Sequence, residues 1–178
     1  MIKKRILPLL VLLVLILGPA WIWFHRVPSG VTALPPESIP LRGHPAPEFS
    51  LQTLDGEAFS LSELRGQAIV LNFWATWCPP CRAEMPELQA AYQAYRSGGL
   101  VVLGVNQAEE APVVRAYLEE LGLTFPVVLD ANYEAASLYA VNSLPTTFFI
   151  DRDGIIRGMV VGQMNAALLN EQIRTIYP

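Results

Sequence analysis

The chain has 178 residues, 52% of them apolar and 16% charged, with a formal net charge of −4. That length fits one domain of ordinary size and disfavours two packed domains. The composition excludes a disordered chain, and the lack of any basic stripe excludes a nucleic-acid-binding protein.

The apolar excess is local. Lys3, Lys4 and Arg5 precede the run from Ile6 to Phe24, in which 16 of 19 residues are apolar. A helix of that length crosses a hydrocarbon core of roughly 30 Å. Basic residues stay on the cytoplasmic side, so the rest of the chain is expected outside the cytoplasm. Trp21 and Trp23, ahead of His25 and Arg26, read as the interfacial belt of a retained signal anchor and transmembrane segment over residues 1–26. Gly18 and Ala20 offer the alternative, a secretory cleavage site at about residue 20 that would release the domain. All 16 acidic residues but only 8 of the 12 basic ones follow residue 26. The exported part is therefore acidic and has nothing to hold it on anionic lipid.

Six prolines between Val27 and Pro47 remove backbone donors and favour extended chain. Residues 27–42 are read as a Pro-rich linker and 43–178 as the folded domain, with His44 still in the spacer. Phe49 to Leu54 and Ala58 to Leu61 flank Asp55-Gly56 and predict a β-hairpin. Gln67 to Trp74 is a continuous apolar run of strand length, as expected of a strand buried on both faces. Helical spacing runs from Pro80 to Arg96 and stops at Ser97-Gly98-Gly99. Leu100 to Val105 is the next buried strand. Glu109, Glu110 and Pro112 open a helix that carries Val113 to Leu121 and ends at Gly122. Phe125 to Leu129 reads as a short strand and Tyr133 to Tyr139 as a short helix. Thr146 to Ile150 and Ile155 to Val161 flank Asp151 to Gly154 as a second hairpin, and Asn165 to Ile176 closes as an amphipathic helix. This order predicts an α/β fold with a mixed central sheet flanked by helices.

Cys78 and Cys81 are the only cysteines, at the junction of the buried strand and the helix after it. Their spacing permits a local disulfide. Two soft ligands fall short of the four that a closed zinc site takes, so no metal site is expected. A purely structural bridge across so short a loop would remove little freedom from the unfolded chain. A redox pair has a mechanism behind it. If Cys78 caps the helix that begins at Pro79, its sulfur faces the positive end of the dipole, which favours thiolate and makes it the nucleophile. Cys81, one turn in, would resolve the mixed disulfide. Pro79 and Pro80 lack N–H groups, which leaves the thiolate mainly the N–H of Cys81. A moderately lowered Cys78 pKa and a reducing pair are expected.

Val70 to Pro86 resembles the active-site segment of membrane-anchored thioredoxin-like thiol-disulfide reductases of the TlpA/ResA type, related to cytochrome c biogenesis interchange proteins. Gly43 to Leu51 resembles their leading segment, and Leu144 to Gly154 their proline loop and following strand. The resemblance implies a thioredoxin-like fold with an N-terminal β-hairpin extension and one N-terminal transmembrane helix. It also implies a Cys78–Cys81 redox disulfide that works without a cofactor. Pro145 matches the family's cis-proline, against the competing reading of an ordinary trans-proline at a strand start. Leu144 beside it is assigned to substrate binding, with Trp77 and Pro79 flanking the nucleophile. Glu84 lies one helical turn past Cys81 and matches an acidic residue that can accept the Cys81 proton. The competing reading is a solvated glutamate on the helix face.

Asn72 departs from cytoplasmic thioredoxin, which carries a buried aspartate there, so proton transfer falls to Glu84 or water. Pro86 matches a helix-kinking proline, and Trp74 is expected in the core. A peroxiredoxin shares Ala46-Pro47-x-Phe49, but its P-x-x-x-[TS]-x-x-C signature fails at Leu71 and Ala75. A Cu(I)-delivery protein wants a distant histidine, and the histidines lie at 25 and 44. The resemblance implies electrons from a membrane thiol transporter and clients such as apocytochrome c or a copper-site subunit. A dithiol oxidase is the alternative direction.

Overall fold

The computed structural model describes residues 40–177. The signal-anchor and cleavage readings, and nearly all of the linker, lie outside the described residues. Among the described residues no helix is long and apolar enough to cross a membrane.

Strands β1 (Ser50–Thr53) and β2 (Ala58–Ser60) form the first hairpin, followed by β3 (Ala68–Trp74), helix α1 (Pro79–Tyr95), β4 (Leu100–Gln107) and α2 (Ala111–Leu121). Then come β5 (Val127–Asp130), α3 (Glu134–Leu138), the hairpin strands β6 (Thr146–Ile150) and β7 (Ile156–Val161), and α4 (Ala166–Ile173). One seven-stranded sheet runs in the order β2-β1-β5-β4-β3-β6-β7. β3, β4 and β5 are parallel neighbours, and every other pairing is antiparallel. The mixed sheet expected from the element order is the one that forms.

All seven residues of β3 are buried. Successive side chains of a strand point to opposite faces, and the two core clusters divide in this way. Val70 and Trp74 pack with Met85 and Leu88 of α1, Val114 of α2 and Ile173 of α4. Leu71 and Phe73 pack on the other side with Phe49, Ala135, Tyr139 and Phe148. A strand covered on both sides reads as a continuous apolar run, which is why β3 was legible.

Several boundaries differ from expectation for identifiable reasons. β5 begins after Pro126, which has no N–H to give the ladder and instead accepts from Gly104 N–H at 2.9 Å. Leu61 leaves β2 to open a 3-10 turn over Leu61–Leu64, where the Glu63 carboxylate accepts the Ser60 N–H at 2.7 Å. Helix α4 ends at Ile173, short of the expected Ile176, and the Asn165 side chain caps its start by accepting from Leu168 N–H. His44 is part of the sheet margin, not of a spacer: its carbonyl accepts Ile156 N–H at 3.0 Å, and Gly43 N–H donates to Ile156 at 2.7 Å.

Tyr139 fastens the leading segment from inside. Its ring packs among Phe49, Phe73 and Phe148, and its hydroxyl donates to the buried Pro47 carbonyl at 2.9 Å. Burial pushes the Tyr139 phenol far above its usual range, with the Glu48 charge adding to it, so the group stays a donor. Tyr139→Phe keeps the ring and removes the bond, which is expected to cost about 1–2 kcal/mol. Equilibrium urea unfolding checks this as a lower midpoint with an unchanged slope.

Candidate active site

Cys78 is the N-cap of α1, with extended backbone at φ −89° and ψ 107°. Pro79 and Pro80 occupy the first helical positions, where a missing N–H deprives the helix of nothing. The Cys78 carbonyl accepts Arg82 N–H at 3.1 Å. Cys78 and Cys81 are joined by a disulfide. Cys78 Sγ accepts the Cys81 N–H at 3.3 Å, the one backbone donor that the two prolines leave. Cys81 is fully buried, Cys78 nearly so, and Trp77 beside them is 65% exposed.

A groove of about 450 Å³ lies at Cys78, and Trp77, Pro79, Pro80, Val141 and Leu144 are among the residues that line it. The Leu144–Pro145 peptide is cis. Its loop is held by hydrogen bonds, from Thr146 Oγ1 to the Ser143 carbonyl at 2.8 Å and from Gly162 N–H to the Pro145 carbonyl at 2.8 Å. Pro145 itself is buried. The structure thus brings Trp77, Cys78, Pro79 and Leu144 to one groove.

Glu84 lies one turn beyond Cys81 and has no exposed surface. The reading of a solvated helix-face glutamate therefore fails. Its Oε1 accepts from Asn72 Nδ2 at 2.8 Å, and its Oε2 from Met164 N–H at 3.0 Å. Asn72 Nδ2 also donates to Thr147 Oγ1 at 2.9 Å, its direct partner across β3 and β6. Burial pushes the Glu84 carboxyl up to about 7, although the Met164 and Asn72 donors pull the other way. At neutral pH the group sits between its acid and its base form.

Glu109 does not open α2 as its place before the helix suggests: Glu110 is the N-cap of that helix. Glu109 turns back to the strand ends. Its carboxylate accepts the Thr76 N–H at 2.7 Å, the Thr76 hydroxyl, and Asn106 Nδ2 at 2.7 Å. The turn that delivers Trp77 and Cys78 is thereby pinned to the end of β4. No local pattern announces a contact between residues 33 positions apart. Trp74 is a core residue as expected, packed on Tyr117 with ring centroids 5.4 Å apart.

The chain matches the AhpC/TSA family over residues 42–159. It is 38% identical to the thiol-disulfide oxidoreductase ResA of Geobacillus thermodenitrificans, covering 76% of this chain and 78% of that protein. Against the thiol-disulfide oxidoreductase ResA of Bacillus subtilis the identity is 36%, over 94% of this chain and 90% of the other. The crystal structure of a thiol:disulfide interchange protein of the thioredoxin family from Chlorobium tepidum superposes with a TM-score of 0.69 at 34% identity, covering 76% of this chain and 97% of that one.

A raised Glu84 pKa has a definite sign for stability. The stability it contributes is complete below the ordinary glutamate value and is lost as pH rises through about 7. The loss approaches about 3 kcal/mol at the upper end. Glu84→Gln is expected to flatten this dependence. It should also lower stability at pH 5 by about 1–3 kcal/mol, since its NH2 would face a donor N–H. Denaturant midpoints measured across pH 5 to 8 for both proteins check the two effects.

Proposed function

The chain belongs to the AhpC/TSA family, among its thioredoxin-like thiol-disulfide oxidoreductases, and we propose that it reduces disulfides in client proteins outside the cytoplasm. One observation carries the reading: the only two cysteines form a disulfide at the start of α1, beside a groove of about 450 Å³. Leu71 and Ala75, where a peroxidatic signature needs proline and a hydroxyl residue, are both fully buried core. The leader of basic and then apolar residues supports export and anchoring by a single transmembrane helix, with residues 27–42 as the linker. The Bacillus subtilis match spans 94% of the chain and so extends into that leader.

In the reduced form the Cys78 thiolate attacks one sulfur of a client disulfide. The other client sulfur leaves as a thiolate and takes a proton from solvent. Glu84 accepts the Cys81 proton, directly or through water, and Cys81 attacks Cys78 Sγ. The second client thiolate leaves, and the Cys78–Cys81 disulfide remains. Two electrons have passed to the client. Trp77, Pro79 and Leu144 hold the client chain against the nucleophile, and the buried Pro145 sets the course of the chain at Leu144. A membrane thiol transporter returns the electrons, and cysteine pairs of apocytochrome c or of a copper-site subunit are the client class that the family resemblance favours.

The direction rests on the poor solvation of the Cys78 thiolate by its helix start. Two prolines withhold donors, so the thiolate is less favoured and the pair more reducing than at a fully donating helix end. The potential of the pair in glutathione or dithiothreitol buffers is expected below about −200 mV. A value near −120 mV, that of a strong oxidant, would make the chain an oxidase. Cys81→Ser is expected to trap clients as mixed disulfides on Cys78, whose identification names them.

A further inference from the structure

The groove beside Cys78 opens at the carboxyl ends of the parallel strands β3 and β4, where open α/β sheets take their ligands. Among the described residues no charged side chain lines it. Gln107, the last residue of β4, does line it and is 6% exposed. Its Nε2 has no hydrogen-bond partner among the described residues. Of the buried side-chain polar atoms left without partners there, it alone belongs to a residue of this groove. Buried amide groups are rarely left unpaired, and such an exception calls for an explanation.

We propose that the Gln107 carboxamide hydrogen-bonds a main-chain peptide group of the client and so fixes the client cysteine against Cys78 Sγ. The proposal rests on the reading of a protein client. A carboxamide carries both a donor and an acceptor, and so does every peptide unit of an extended chain. A half-turn of the amide exchanges its nitrogen and oxygen without changing its shape, so either atom can meet the groove. With no charge in the lining to select a side chain, the backbone is the polar partner that any client brings. Gln107 is a positioning residue: it takes no part in the exchange of electrons. The pairing of β4 with β5 at Gln107 and Asp130 fixes its backbone.

The test compares two disulfides with the same leaving group on the reduced full chain. In one, thionitrobenzoate is joined to the central cysteine of a short alanine-rich peptide; in the other it is joined to mercaptoethanol. Release of thionitrobenzoate gives a rate constant for each, and their ratio isolates what the peptide contributes. The unaltered protein is expected to favour the peptide, and Gln107→Leu to lower the ratio about five- to tenfold. Gln107→Glu keeps the shape and loses the donor, so it is expected to lower the ratio too, and it carries the test if the leucine variant does not fold. Because both rates come from the same variant, a general structural loss cancels. An unaltered ratio in the variants, alongside a peptide preference in the parent, overturns the role of Gln107 alone. A parent with no preference for the peptide overturns the reading of a protein client, and the proposal with it.

Discussion

Glu84 is a carboxyl group with no exposed surface, and an ionised carboxylate without partners would be too costly to bury. The fold meets part of that cost with two donors. Asn72 of β3 donates to one oxygen and Met164, ahead of α4, to the other, while the same Asn72 amide reaches Thr147 of β6. The carboxylate and its Asn72 partner therefore link α1, the neighbouring strands β3 and β6, and the lead-in to α4. This link fixes the rotation of α1, and with it the place of Cys81 one turn before. Donors too few to offset burial leave the group with a pKa of about 7, where a proton can be taken and returned at little cost.

The other cysteine depends on what the helix start withholds. An N-cap side chain accepts from the N–H of the second or third helical residue, and with Pro80 at the second position Cys78 is left only the N–H of Cys81. The turn in front of it is held by side chains instead: the half-buried Glu109 binds Thr76 by both backbone and hydroxyl. Cys78 is thus held in place but given a single backbone donor, as the proposed role of a reducing nucleophile asks. Two glutamates flank the pair: Glu109 holds the turn before Cys78, and Glu84 is the group to which the proposed mechanism gives the Cys81 proton.

Much of this was legible in the chain. The β3 run is apolar throughout because both of its faces are covered, and the Asp55-Gly56 and Asp151-to-Gly154 turns announce their hairpins. The cysteine spacing at a strand-helix junction pointed to redox chemistry unaided, whereas the cis peptide at Pro145 and the importance of Glu84 came only through family resemblance. Periodicity could not decide whether Glu84 faces solvent or core, because the donors that make its burial tolerable come from Asn72, 12 positions earlier, and from a backbone N–H 80 positions later. The same holds for Glu109, since acids before a helix look alike whether they cap it or reach elsewhere. Gln107 gave no sequence signal at all: a lone polar residue at a strand end acquires meaning only from the groove beside it.

The proposed proton-accepting role of Glu84 rests on a pKa raised enough that its ionised form, present at neutral pH, is basic enough to take a thiol proton. The most direct measurement follows the chemical shift of that carboxyl carbon against pH, in protein carrying carboxyl-labelled glutamate and assigned by comparison with Glu84→Gln. A midpoint near 7 is expected. A midpoint in the ordinary glutamate range, around 4.3, would mean a permanently charged structural anchor and would contradict the proton-transfer role.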